Sequence, residues 1–155
     1  MACPTVIQQP RINHLSGLIV TPAMKVHSAL GHGLLESAYE ACLLHELRKQ
    51  GLKAEKQVRL AVVYDGVTID VGYRMDLLVG DVVVVELKCV EEFNAVHEAQ
   101  LLSYLKLRGK HVGLLINFHV AHLRDGIKRL VNGRNWKQQI GSPVILCALC
   151  GGERF

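Results

Sequence analysis

Two apolar runs of the chain are broken by residues that can do chemistry: Asp76 in "MDLLV", and Glu86 with Lys88 in "VVVVELKCV". If the second run is a strand, Glu86 and Lys88 project from the same face, about 7 Å apart along it, because side chains alternate and each residue rises about 3.3 Å. Alone, the two charges fit a surface ion pair that discourages pairing at the end of an edge strand. Asp76 points elsewhere. It precedes Glu86 by ten residues, and a three-residue connection at 80–82, or a bulge, places it directly opposite Glu86 in an antiparallel pair. A two-residue turn places it opposite Val85 and on the wrong face. Two carboxylates on one sheet face make an oxygen-ligand site for a hard divalent cation, and an ammonium beside them stabilises negative charge. Without a cation, carboxylates so close repel.

The elements that must hold these residues follow from patterning. Pro4 and Pro10 bracket an irregular leader over residues 1–14, after which "HLSGLIVTPAMKVHSALG" has apolar residues at helical spacing. Thr21-Pro22 within it fits either an N-cap with proline at the first helical position or a kink in a longer helix. "LLESAYEACLLHELRKQG" reads as a second helix, basic at Arg48 and Lys49 and stopped by Gly51. From Lys53 the texture changes to β-branched residues punctuated by Asp65-Gly66 and Gly80-Asp81, which predicts three strands in an antiparallel meander. "NAVHEAQLLSYLKLRG" returns to helical spacing and ends at Gly109, "HVGLLINF" is a further buried strand, and "LRDGIKRLVNG" a turn leading to a short strand or helical turn. The order helix, helix, three strands, helix, strand describes an α/β or α+β sandwich around one sheet.

At 155 residues, half of them apolar, the chain suits a single domain over 1–155 with one packed core. The net charge of +4 is compatible with an anionic partner without demonstrating one. Five scattered cysteines suit a reducing cytoplasm rather than a disulfide framework, with Cys42 and Cys89 expected in the core. The first residues lack the pattern of an export signal and no stretch is apolar enough to span a membrane. No P-loop, Rossmann glycine pattern, serine nucleophile elbow or H-E-x-x-H occurs.

The spacing D-(x)nine-E-x-K resembles the core motif of the PD-(D/E)XK nuclease superfamily. "GLLESAY" at 33–39 is similar to the signature of the small bacterial family named for G-x-x-E-x-x-Y, and the resemblance continues through "GYRMDLLV", "ELK", "HEAQLLSYL", "LLINF" and "DGIKRLVN", about residues 15–132, leaving 133–155 as a tail. It implies an α/β fold with a restriction-endonuclease-like core, a central mixed sheet flanked by helices. It further implies a Mg²⁺- or Mn²⁺-dependent nuclease acting on nucleic acid, DNA ahead of RNA. Carried onto these residues, Asp76, Glu86 and the Leu87 carbonyl would be metal ligands. Lys88 would orient or help deprotonate the attacking water. Glu36 matches a helix glutamate that completes the metal shell, although an acid in a first helical turn also complements the helix dipole by ~0.3–1 kcal/mol. Gln100 and Tyr104, one turn apart on the same helix face, match the Q-x-x-x-Y element of the RecB-like branch, with Gln100 beside the site and Tyr104 supporting it. A polar residue at the border of a buried stripe is the alternative account of both, against which the agreement with the strand motifs favours the site role. Packing suffices for Tyr39 and a turn for Gly33.

Lys106, Arg108 and Lys110 at the end of the third helix, and Arg124, Lys128, Arg129 and Arg134 after the last strand, are expected to flank the site and meet phosphates, with an ordinary solvated face as the alternative. A nucleic-acid-binding module with an idle or regulated site is the competing functional reading. His119-x-x-His122 with Cys147-x-x-Cys150 offers four zinc ligands, but a single C-x-x-C outside the resemblance is a weak signature.

Overall fold

The computed structural model describes residues 9–133. Its elements run α1 (Gln9–Leu30), α2 (Glu36–Lys49), β1 (Ala54–Tyr64), β2 (Val67–Val79), β3 (Val83–Lys88), α3 (Ala95–Arg108), β4 (Val112–Asn117), a 3₁₀ turn (Leu123–Gly126) and β5 (Ile127–Val131). One five-stranded sheet follows the order β1-β2-β3-β4-β5. It is mixed: β3 and β4 are parallel, joined through α3, and every other neighbouring pair is antiparallel.

Two apolar layers sandwich the sheet. On one face α1 and α2 bury Ile19, Ala23, Tyr39, Leu43 and Leu47 against Leu77, Val83, Val85 and Leu114. On the other, α3 buries Leu101, Tyr104 and Leu105 against Leu60, Met75, Leu78, Val84 and Leu115. β3 and β4 are covered on both faces, which is why their sequences are near-continuous apolar runs rather than alternating ones.

α1 begins at Gln9, inside the stretch expected to be an irregular leader. Pro10 is tolerated in a first helical turn, where its missing N–H has no partner to lose, and Ile12 packs into the α1–α2 core. Pro22 lies within this helix rather than at its start, and the Thr21 hydroxyl donates to the Gly17 carbonyl at 3.2 Å. The α3 start is fixed by Asn94, whose side chain accepts from the N–H groups of Val96 and His97 while His97 Nδ1 accepts from the Asn94 N–H. Cys42 and Cys89 are free and half-buried against the α1–α2 core. Arg134, Cys147 and Cys150 lie outside the described residues. No helix among the described residues is long and apolar enough to cross a membrane.

Candidate active site

The β2–β3 connection is the three-residue one, Gly80 to Val82, with Gly80 and Asp81 both in the left-handed region. Val79 pairs with Val83, Leu78 with Val84 and Leu77 with Val85. Continued by one step, this register would set Asp76 opposite Glu86, but the ladder stops there. The Asp76 side chain occupies the opening, its Oδ2 accepting the Leu87 N–H at 2.8 Å. Across β1, Gln57 faces it with a φ of 52° and donates from Nε2 to Asp76 Oδ1 at 3.4 Å and to Glu40 on α2.

Glu86 is 2% exposed. Its Oε1 accepts from Lys88 Nζ at 2.9 Å, while Oε2 is buried with no hydrogen-bond partner among the described residues. Burial, then repulsion from Asp76, pushes the Glu86 carboxyl up to about 7, against the pull of Lys88. Burial also raises Asp76, although the Leu87 N–H opposes it. Glu36, the first residue of α2, is raised by burial and by Asp76 and Glu40, and lowered by Lys88 and by a hydrogen bond from the Cys89 N–H. Burial would depress the Lys88 ammonium, but Glu86, Glu36 and Asp76 together outweigh it and hold it above its ordinary value. Lys88 therefore stands among three carboxylates from α2, β2 and β3.

On α3, Gln100 Nε2 donates to Tyr104 Oη at 2.7 Å. Burial raises the Tyr104 hydroxyl, the Gln100 bond lowers it, and Glu86, Lys88 and Asp76 all act on it. The structure thus brings Asp76, Glu86, Leu87, Lys88, Glu36, Gln100 and Tyr104 to one end of the sheet, where β3 leaves it. Tyr39 has the packing role: it stacks on Phe118 at 4.4 Å, donates to the Gly31 carbonyl and accepts from the Leu34 N–H, anchoring the linker that leads into Glu36. Gly33 takes a φ of 115° in that linker. Gln57 and Glu40 also belong to the site, and sequence spacing carried no sign of them, since they reach Asp76 from a different strand and a helix.

The basic residues are distributed differently from the expectation. Lys110 donates to the Asp81 carbonyl and pairs with its carboxylate at 3.0 Å. Arg108 also acts on Asp81, and Lys106 ends the same helix. Lys110 and Arg108 thus belong to the β2–β3 loop end, and β3 runs five residue rises, roughly 17 Å, from there to Lys88. These two do not flank the site, because α3 points its C-terminus away from it. Arg129 pairs with Leu114 in β4 and so faces the α1 layer, half-buried. Arg124 is exposed beside Asp125. Lys128 stands level with Glu86 through Leu115, but Glu98 holds it at 2.7 Å.

Among the described residues no three His, Cys, Asp or Glu side chains are gathered closely enough to hold a metal by themselves. His119 and His122 belong to no such group. Two carboxylates fit a hard cation nonetheless, since Mg²⁺ keeps several waters and is commonly bound by one or two carboxylates plus substrate phosphate. The unpartnered Glu86 Oε2 is an oxygen donor awaiting a cation or a proton.

Residues 13–130 match the sequence profile of the PD-(D/E)XK nuclease superfamily. No curated protein is similar enough to count as a relative. Among solved structures, an alkaline exonuclease from Laribacter hongkongensis is similar at 12% identity and a TM-score of 0.41, over 86% of this chain and 88% of that one.

Proposed function

The chain belongs to the PD-(D/E)XK nuclease superfamily, and from that premise we propose that it is a Mg²⁺- or Mn²⁺-dependent nuclease of the G-x-x-E-x-x-Y family, hydrolysing nucleic-acid phosphodiesters with DNA ahead of RNA. The observation that carries this reading is the buried, half-unpartnered Glu86 carboxylate, with Asp76 beside it and the Lys88 ammonium bonded to its other oxygen. Asp76 and Glu86 would hold the ion, with the Leu87 carbonyl and Glu36 as further oxygen donors. When bound, it supplies charge stabilisation to the phosphate and a water acidified toward neutrality. Lys88 orients that water and donates to a phosphate oxygen, a task that suits a compact ammonium. Gln100 and Tyr104 form the α3 wall.

Incubation of the purified protein with single- and double-stranded DNA and RNA, with and without Mn²⁺, tests the reading. Metal-dependent cleavage lost in Lys88→Ala and Asp76→Ala is expected. Cleavage that persists in both variants would mean a contaminant. Binding without cleavage in the unaltered protein would favour the binding-module reading.

A further inference from the structure

β1 and β2 outrun the rest of the sheet. β2 pairs with β3 only over Leu77–Val79, so the hairpin runs on past the site end to its turn at Asp65-Gly66, roughly 20 Å along β1 from Val58 to Tyr64 at about 3.3 Å per residue. A two-stranded ribbon is marginally stable alone in water. One face of this one is an apolar stripe, crossed by a register shift between Leu60 and Val62. Leu60, Val62 and Tyr64 alternate along β1 and their partners are Tyr73, Ile69 and Val67. The outer part is open: Tyr64 is 73% exposed, Val67 59%, Tyr73 49% and Ile69 40%. Scattered exposed apolar residues are ordinary, but a contiguous stripe marks an interaction surface.

We propose that this stripe is a stacking surface for the bases of a single-stranded nucleic acid, so that the substrate of the site is unpaired strand rather than duplex. The proposal rests on the nuclease reading for the chemistry at Glu86. Two observations choose bases as the occupant. First, the stripe is continuous with the site: the Tyr73 ring lies 6.2 Å from that of Tyr104, which Gln100 holds and on which Glu86, Lys88 and Asp76 act. Second, the stripe carries no charge. The arginines of the arm, Arg59 opposite Arg74, lie on the reverse face, and Asp70 draws Arg59 at 3.7 Å. A duplex offers its phosphates outward and keeps its bases stacked within, so an uncharged aromatic face holds little for it. Unpaired bases expose π faces that stack on tyrosine irrespective of sequence.

The test measures binding in the full chain carrying Lys88→Ala, by anisotropy of labelled oligothymidine, oligouridine and a DNA duplex, each of about 20 nucleotides, a length that spans a typical single-strand site. Single strands are expected to bind at least about tenfold tighter than duplex, with Tyr64→Ala weakening them about tenfold and Tyr64→Phe retaining affinity. The thymidine and uridine arms show which sugar is preferred. Duplex bound as tightly as single strand, or Tyr64→Ala without effect on single strand, overturns the proposal. So does an unaltered protein that is dimeric in sedimentation and becomes monomeric on Tyr64→Ala, because the stripe would then cover a second copy. Cleavage by the unaltered protein is scored separately: cleavage with Tyr64-independent binding leaves the nuclease reading standing and removes the stripe, and Tyr64-dependent binding without cleavage does the reverse.

Discussion

Gln57 stands opposite Asp76 where both strands of the first hairpin turn over together. Ala54 packs toward α1 and α2 while Val58 and Leu60, at the same parity in β1, pack toward α3; Leu77 and Val79 face α1 and α2 while Met75 faces α3. The pairing sum is the same on both sides of this point, from Lys56–Leu77 to Val58–Met75. The strands thus keep register while exchanging faces, and Asp76 is released from the ladder to bond the Leu87 N–H.

Gln57 combines a left-handed backbone with hydrogen bonds to Asp76 and Glu40. Gln57→Ala is expected to lose the bonds and keep the strain, whereas Gln57→Gly loses only the bonds. In urea denaturation Gln57→Gly should be more stable than Gln57→Ala by about 1 kcal/mol. Both should weaken Mn²⁺ binding about 10- to 100-fold, as removal of a group that orients a ligand does. Equal stability of the two would mean that Gln57 is unstrained.

Burial raises Glu86 to about 7 from an ordinary 4.5, so in metal-free protein the folded state holds a proton that the unfolded state releases between those values. The folded state binds more protons in this window, and stability therefore falls as pH rises through it. Asp76 and Glu36 are raised and act in the same direction. Unfolding in EDTA should show a loss of up to ~3 kcal/mol between pH 5 and pH 8, from 1.36 kcal/mol per pKa unit, and Glu86→Gln should remove most of it. A stability that is flat or rises over this range would contradict the burial of an ionisable Glu86.

A cation must displace that proton. Mn²⁺ is expected to raise the melting temperature more at pH 8 than at pH 5, with about 2.7 kcal/mol of stabilisation at a hundredfold excess over Kd. Asp76→Asn should abolish most of the shift. A shift of the same size at both pH values would place the cation elsewhere.

Two glycines differ in what a methyl group would meet. At Gly113 a Cβ would lie 2.8 Å from the Leu101 side chain, whereas at Gly126 it would strike the Asn117 backbone carbonyl. Gly113→Ala should cost about 1–3 kcal/mol by overpacking, and Gly126→Ala more, because backbone cannot change rotamer. Asn117 is the β4 partner of Lys88 and its side chain bonds the Val90 backbone on both sides. Gly126→Ala is therefore also expected to lower activity, measured by initial rates on folded protein, while Gly113→Ala leaves it within about threefold, since it packs at the far end of the sheet.

The amino-acid sequence by itself determined most of the elements, while it left the β2–β3 register open. β-branched runs, the Gly80-Asp81 turn signal and the alternation of Glu86 with Lys88 act over a few residues, and the antiparallel meander follows from them. The sequence put Asp76 opposite Glu86 only on condition of a three-residue connection or a bulge, and the structure supplies the three-residue one. Tertiary structure decided the rest. Whether α2 presents Glu36 to the end of β3, and whether Gln57 and Glu40 reach Asp76, depend on how layers distant in sequence pack, which no spacing encodes. The same is true of the basic residues: Arg108 and Lys110 follow a helix whose direction across the sheet carries them to the β2–β3 loop. The exchange of faces at Gln57 and Asp76 escapes a period-two pattern for a physical reason. It needs a left-handed residue and its partner to turn together across two strands, and only the competition of two cores for the same hairpin selects it.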